Sequence, residues 1–278
     1  KPVQLGVKEG FLLTTVSWLA VTAAAAVPFK LLGLGYADSF FEAMSGITTT
    51  GATVLVGLDK LPRGVLFWRA LLQGLGGLGI IVMAILMLPF LRVGGMQLFQ
   101  MESSDKSEKI MPRAVELTMS IAGVYVGLMI GCAVVYAAFG MTTFDAICHA
   151  LTTVSTAGFS THDESFAFFR SPALEWAAVC FMILGALPFV VFIKTLHGDR
   201  MAIWRDSQVQ GFLSFVVVVA LTLSLWLTVT RELPVGEAVR LATFSVVSIV
   251  TTTGYAVEDW TAWGTFSIGL FFLLKFVG

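Results

Sequence analysis

The chain has 278 residues, 57% hydrophobic and 13% charged, with a formal net charge of -1 and a mean hydropathy of +0.88. Soluble domains carry about a quarter charged residues, so this balance excludes an ordinary soluble domain and indicates a polytopic membrane protein in contact with lipid. The near-neutral charge excludes nucleic acid as a partner, and Cys132, Cys148 and Cys180, each alone in an apolar run, exclude a disulfide framework or zinc site and read as small buried hydrophobes.

Lys1 is neither a methionine nor the start of a signal peptide, and Gly278 falls inside an apolar run, so the chain reads as an internal piece of a longer protein. Phe11 to Leu32 is long enough to cross a bilayer. Tyr36 to Ile47 is too short to cross and mixes Asp38, Ser39, Glu42 and Ser45 with Phe40, Phe41 and Met44. Polar groups at that depth survive only where protein or a water-filled cavity surrounds them, so a re-entrant half-helix is expected. The tetrad Thr48-Thr49-Thr50-Gly51 follows, then a loop with Asp59, Lys60 and Arg63, then a return span from Leu66 to Phe90. Its run Gly74-Leu75-Gly76-Gly77-Leu78-Gly79 suits close helix contact.

The same order recurs twice. A span from Val115 to Phe139 leads to a half-helix Thr143 to Val154, the tetrad Ser155-Thr156-Ala157-Gly158, and a span Ala173 to Leu196. Pro188 removes a backbone donor there, which predicts a kink or local unwinding over Gly185 to Pro188. Then come a span Phe212 to Thr230, a half-helix Pro234 to Val250, the tetrad Thr251-Thr252-Thr253-Gly254 and an unfinished span from Ala262. The chain thus divides at 1–91, 92–197 and 198–278 into a first unit with a cytoplasmic lead-in, a linker with a second unit, and a linker with a truncated third.

The tetrad glycines are spaced by 107 and 96 residues, too far for a solenoid and right for a membrane repeat of two spans and a connector. Aligned on that glycine (position 0), hydroxyls coincide at −6 (Ser45, Thr152, Ser248), −3 (Thr48, Ser155, Thr251) and −2 (Thr49, Thr156, Thr252). The linkers Arg92 to Arg113 and Lys194 to Asp206 hold more basic residues than the loops after the tetrads. The positive-inside rule therefore expects the linkers in the cytoplasm and the tetrads opening outward.

This chemistry suits a cation. Backbone carbonyls ringed about an axis replace an ion's hydration shell, and glycine permits the backbone angles this requires. Each half-helix aims its C-terminal end, with about half a negative charge, at its tetrad. Oxygen ligands without thiolate or imidazole indicate an alkali ion. The expected ion-binding residues, mainly through backbone carbonyls, are Thr49, Thr50, Gly51, Thr156, Ala157, Gly158, Thr252, Thr253 and Gly254, flanked by the hydroxyls of Thr48, Ser155 and Thr251.

The runs Phe41-Glu42-Ala43-Met44-Ser45-Gly46-Ile47 with Thr48 to Thr53, Arg92-Val93-Gly94-Gly95-Met96-Gln97-Leu98-Phe99, and Ser248 to Tyr255 resemble the TrkH-type subunit of the bacterial Trk/Ktr/HKT superfamily of potassium transporters. The resemblance implies an all-α polytopic fold of helix–pore helix–filter–helix units around a central pore, of which this chain holds three of four. It implies potassium uptake across the bacterial inner membrane, with K+ as transported ion and no covalent cofactor. It also implies a homodimer, a cytoplasmic ring of nucleotide-binding regulatory subunits, and a glycine-rich gating loop beginning near Val277-Gly278. Lys275 departs from the apolar residue expected there.

Asp38 and Asp145, both at −13, with Glu42 and Glu237 nearby, read either as helix-capping and dipole-complementing acids or as an outer vestibule that concentrates cations. Arg240 is expected to pair with a carboxylate, and Trp68, Trp176 and Trp263 to form an interfacial belt. His149, His162 and His197 lie in unrelated places and suggest no metal site. An ion-coupled carrier of potassium or sodium with a proton, working by alternating access, is the alternative to a channel-like pore; carriers of that kind favour carboxylates near mid-depth. No protease or hydrolase motif marks the chain as an enzyme.

Overall fold

A computed structural model describes residues 7–91 and 107–277, with side chains described over 8–83 and 116–277. The linker residues 92–106, including Arg92, Lys106 and the run Arg92 to Phe99, lie outside the described residues, as does Gly278. The fold is all-α and polytopic. Among the described residues four helices are long and apolar enough to cross a membrane: Lys8–Leu31, Arg63–Met83, Glu116–Ala138 and Ser207–Arg231.

The elements run α1 (Val7–Ala25), α2 (Val27–Leu31), α3 (Tyr36–Ile47), α4 (Arg63–Leu91), α5 (Ser107–Ala138), α6 (Thr143–Val154), α7 (Pro172–Ala186), α8 (Phe189–Leu196), α9 (Ala202–Arg205), α10 (Ser207–Arg231), α11 (Val235–Val250) and α12 (Thr265–Leu274). The short helices α3, α6 and α11 each end at a tetrad, and each starts on a residue that favours a non-helical entry. Gly35 and Pro234 occupy the N-caps of α3 and α11. Thr142 caps α6 by accepting from the Asp145 amide at 3.1 Å, while its own hydroxyl donates to Asp145 Oδ2 at 2.6 Å. An acid stands at the third helical residue of all three, Asp38, Asp145 and Glu237, where it complements the helix dipole. Helix α11 has 16 residues against 12 in the other two, an extra turn that moves Glu237 from −13 to −17.

Three boundaries differ from the sequence expectation. Helix α5 begins at Ser107, inside the expected linker. The expected kink at Pro188 is a full break: α7 and α8 meet at 91°, because Pro188 has no amide to donate and Leu187 is extended. The last apolar stretch is a 3-10 turn, Trp260–Trp263, followed by the ten-residue α12. Trp263 is not at an interface; it is buried, its Nε1 donating to Glu258 Oε2 at 2.9 Å. Cys132 and Cys148 are buried but Cys180 is exposed.

Glycines on the return helices let them approach the tetrads. A Cβ on Gly76 would collide with the Ile47 carbonyl, and one on Gly185 would meet the Val154 carbonyl at 2.7 Å. Ile47 and Val154 both stand at −4, so the two helices touch equivalent points of their units.

Candidate functional site

The three tetrads share one backbone conformation. Thr49, Thr156 and Thr252 at −2 have φ of 58°, 51° and 60°, and Gly51, Gly158 and Gly254 have φ of 77°, 75° and 84°. The intervening residues, Thr50, Ala157 and Thr253, do not have positive φ. Alternation of hand over three residues turns successive carbonyls toward the same side. Glycine tolerates this freely, whereas a β-branched threonine in the left-handed region costs about 1–3 kcal/mol and persists only where its surroundings over-determine it. They do so here. The −2 amides donate to the last helical turn: Thr49 to Gly46, Thr156 to Thr153 and Thr252 to Ile249, at 3.0–3.1 Å. The hydroxyls of Thr49 and Thr252 donate to the carbonyls of Thr48 and Thr251 at 2.7 and 2.6 Å.

Five of the six remaining amides, all but that of Thr253, also point back into the helix ends. The Ser45 carbonyl accepts from Thr50 and Gly51 (2.9 and 3.4 Å), Thr152 from Ala157 and Gly158 (2.9 and 3.3 Å), and Ser248 from Gly254 (3.0 Å). Donors are thereby spent on the scaffold. The −3 hydroxyls of Thr48, Ser155 and Thr251 donate to the carbonyl four residues back, at 2.7, 2.7 and 2.8 Å. Ser45 and Ser248 at −6 donate forward to the carbonyls of Ala52 and Tyr255, at 2.5 and 2.8 Å. Thr152 instead pairs with the Tyr255 hydroxyl and donates to His149 O at 3.2 Å.

The tetrads abut one another in chain order. A Cβ on Gly51 would overlap the Ala157 carbonyl oxygen, and one on Gly158 would overlap that of Thr253. Each glycine therefore meets the −1 carbonyl of the next tetrad. Gly254 meets nothing within 4 Å among the described residues. Gly254 and Thr50 are exposed, whereas Ala157 and Thr253 are buried. The series is open at one place, between Gly254 and Thr50. Beside the helix ends lies a cavity of about 610 Å³ whose lining includes Thr156, Thr252, Gly185, Phe212 and Val277.

The acids divide into different roles. Asp38 and Glu237 are exposed. Asp145 is buried and accepts from Thr142 and Thr161 (2.6 and 2.7 Å). Glu42 faces no vestibule. It is fully buried, paired with the buried Arg69 at 2.8 Å, and accepts from the Thr53 hydroxyl (2.9 Å) and the Val54 amide (3.1 Å). Arg69 also donates to Thr53 Oγ1 at 3.1 Å and to the Ser160 carbonyl at 3.0 Å, and its guanidinium lies 4.2 Å from the Phe159 ring centroid. Arg240 pairs with Glu175, with Glu237 3.6 Å away.

A further register becomes visible only in three dimensions. Glu42 and His149 both stand at −9, and each holds the hydroxyl at +2 of its own unit: Glu42 holds Thr53, and His149 Nε2 holds Ser160 Oγ at 3.1 Å. The third unit has Ser245 and Ala256 at these positions. There the exit strand is pinned by the preceding loop, through Ala167 N to Ala256 O (3.0 Å) and Ala256 N to Ser165 Oγ (3.3 Å). Aromatic residues at +1 reach back to the preceding unit. Phe159 lies under Arg69, and the buried Tyr255 hydroxyl donates to Thr152 and lies against Thr153 and His149 O. Sequence reasoning passed over Arg69 and Gln73, although two polar residues four apart in an apolar run share one helix face.

Among the described residues no group of three or more His, Cys, Asp or Glu is placed to hold a metal ion. What the tetrads present is uncharged oxygen in quantity, at the negative ends of three helices. Ringed oxygens of this kind can take the place of the hydration shell of a weakly hydrated monovalent cation.

The TrkH family, described as cation transport protein, matches residues 1–278. The chain is 45% identical over 280 residues to the Trk system potassium uptake protein TrkI of Halomonas elongata, covering 100% of this chain and 57% of that protein. It is 38% identical over 283 residues to the Trk system potassium uptake protein TrkH of Escherichia coli K12, covering 99% and 58% respectively. The crystal structure of the potassium transporter TrkH from Vibrio parahaemolyticus superimposes with a TM-score of 0.89 at 34% identity, over 99% of this chain and 57% of that one. The chain thus spans a little over half the length of these relatives.

Proposed function

The chain belongs to the TrkH family of cation transport proteins, and from that premise we infer that it forms most of a potassium-selective pore for uptake across the bacterial inner membrane. The observation that carries the reading is the threefold recurrence of a left-handed threonine and a left-handed glycine at the end of a short helix, with Gly51 and Gly158 each backed onto the next tetrad's −1 carbonyl. The tetrad amides, that of Thr253 apart, are tied to the helices, which leaves the carbonyls to take an ion, that of Ala157 being shared with Gln73. Alanine or serine at Gly51 or Gly158 would drive a Cβ into the neighbouring strand, and at all three glycines it would have to adopt a left-handed backbone, which is why this site uses glycine.

The open place between Gly254 and Thr50 supports a four-membered ring, in which a fourth segment sets its −1 carbonyl against Gly254 and its glycine against Thr50. The units are then 1–91, 92–197 and 198–278, and the cavity beside Thr156 and Thr252 is the water-filled approach from the cytoplasm. The basic linkers 92–113 and 194–206 face the cytoplasm in this reading and are where a nucleotide-binding regulatory ring docks. A homodimer with one pore per protomer completes the assembly. Uptake is driven by the membrane potential, about 2.3 kcal/mol per charge per 100 mV.

The test is ion flux through the intact protein in proteoliposomes. Potassium and rubidium should pass in preference to sodium. Absence of that preference overturns the reading, and flux saturating at carrier-like rates assigns alternating access instead.

A further inference from the structure

Gln73 lies in the middle of α4, in an apolar stretch, and is fully buried. A buried primary amide is costly unless its polar atoms are paired. Both ends of this one are paired with backbone of the second unit, one inside its tetrad at Ala157 and one just after it at Phe159. Nε2 donates to the Ala157 carbonyl at 3.0 Å, and Oε1 accepts from the Phe159 amide at 3.0 Å. The side chain belongs to the first unit yet straddles Gly158 of the second. Gly51 also abuts the Ala157 carbonyl, and a Cβ there would come 3.9 Å from Gln73 Nε2.

The second tetrad is singled out by its composition. In the first and third, threonine stands at both −3 and −1, and the two hydroxyls bond to each other at 2.8 Å: Thr48 with Thr50, and Thr251 with Thr253. That bond braces the strand across its left-handed residue. The second tetrad has Ala157 at −1 and has no hydroxyl with which to form the brace. The two return helices are aligned by their contacts at −4, Gly76 on Ile47 and Gly185 on Val154, and at Gln73's place on that alignment the second unit carries Met182, a buried apolar residue.

We propose that Gln73 is a positioning residue for ion selectivity: it replaces, from the neighbouring unit, the −3/−1 hydroxyl brace that the second tetrad lacks, and so fixes the width of the ring at the junction of Gly51 and Gly158. The inference rests on the reading of the tetrads as an ion filter. A filter that discriminates by fit needs its carbonyls kept from following the smaller sodium ion inward. Loss of two buried hydrogen bonds at one strand removes that restraint where two strands touch.

The test uses the intact protein in proteoliposomes, with the sodium-to-potassium permeability ratio as readout. Gln73→Ala should raise the ratio about tenfold, since one to two net hydrogen bonds are lost. Two double variants then separate bracing from packing. Gln73→Ala/Ala157→Thr regains a hydroxyl that reaches Ser155, and should restore the ratio toward the parent value. Gln73→Ala/Ala157→Val adds nearly the same volume without the hydroxyl and should not. The comparison of these two near-isosteric variants decides the question even if Gln73→Ala reduces yield. A parent ratio in Gln73→Ala, or equal ratios in the two double variants, overturns the inference while leaving the filter reading intact; parent protein without potassium preference overturns the filter reading itself.

Discussion

Removing Arg69 should loosen the exit from two tetrads at once, and its cost is set by what it leaves behind. Its guanidinium is the counter-charge of Glu42 at 2.8 Å, with both side chains buried. It also donates to Thr53 Oγ1 and Ser160 O, which belong to the exit strands of the first and second units. In Arg69→Leu the volume is largely kept. Glu42 keeps only the Thr53 hydroxyl and the Val54 amide, and the Ser160 carbonyl loses this donor. Charged hydrogen bonds are worth about 1.5–3 kcal/mol each, but their sum overstates the effect because an unpaired carboxylate takes up a proton. Breaking a buried pair by removing one partner costs about 3–5 kcal/mol, whereas replacing both partners is often close to neutral. Thermal unfolding of the purified protein in detergent should therefore fall by roughly 10 °C in Arg69→Leu. The paired variant Glu42→Gln/Arg69→Gln, in which two amides replace two charges, should recover more than half of the loss, a coupling of about 2 kcal/mol. If Arg69→Leu unfolds within a degree or two of the parent, or the double variant is no better than the single, the pair does not hold the two exit strands together.

Two further outcomes follow from the loops and the strands. Gly158→Ala places a Cβ on the Thr253 carbonyl, whereas Gly140→Ala, at φ 107° with nothing within 4 Å, meets only the backbone cost. Rubidium flux should be abolished in the first and retained in the second, and equal flux would refute the packing of tetrad against tetrad. Between the loops that follow the first two tetrads, Asp59 accepts from His162 Nδ1 at 2.5 Å and more weakly from the Asp163 amide, and Asp163 accepts from the Gly57 amide at 2.8 Å. The hydrogen bond from His162 holds the Asp59 carboxyl below its ordinary 3.8. A carboxylate favoured by the folded state contributes stability above that value and loses it as pH falls through the lower, folded one. Hydrogen exchange over residues 57–61 should speed up, relative to its intrinsic pH dependence, below about pH 4, and Asp59→Asn should show the faster behaviour at every pH; an Asp59→Asn protein protected like the parent would refute the clasp.

Four of the expected spans were legible because length and hydropathy alone specify them, and the short helices were legible nearly to the residue. Tyr36–Ile47 and Thr143–Val154 begin and end where the sequence places them, since Gly35, Thr142 and the tetrads are strong local punctuation. The break at Pro188 was foreseen in place but not in size, because a missing amide says where a helix yields and neighbouring helices decide how far it turns. Glu42 was misjudged for a related reason. An acid near the start of a pore helix looks the same whether it faces water or an arginine 27 residues away, and the partner was hidden in a run read only for its hydropathy. The left-handed glycines could be anticipated from chemistry; the left-handed threonines beside them could not, since a β-branched residue is held there by contacts rather than by preference.

That difference bears on how the site is built. Backbone conformation recurs in all three tetrads, but the groups that hold it do not. A carboxylate with an arginine anchors the first exit strand, a histidine with a serine the second, and backbone bonds from the preceding loop the third. Hydroxyl braces span the first and third tetrads, and an amide from another helix spans the second. In the proposed filter an ion would meet the carbonyls of like-shaped strands, while the supports behind them diverge. Substitutions at equivalent registers should therefore have unequal effects. Position −9 is critical where it is Glu42, which carries a buried charge, and more tolerant where it is Ser245, whose unit anchors its strand elsewhere. Glu42→Ala should cost about 3–5 kcal/mol by stranding Arg69, and Ser245→Ala less than about 1 kcal/mol. The comparison of their melting temperatures measures how far each unit relies on its own support, and equal losses at the two positions would mean that the supports are shared around the ring rather than local.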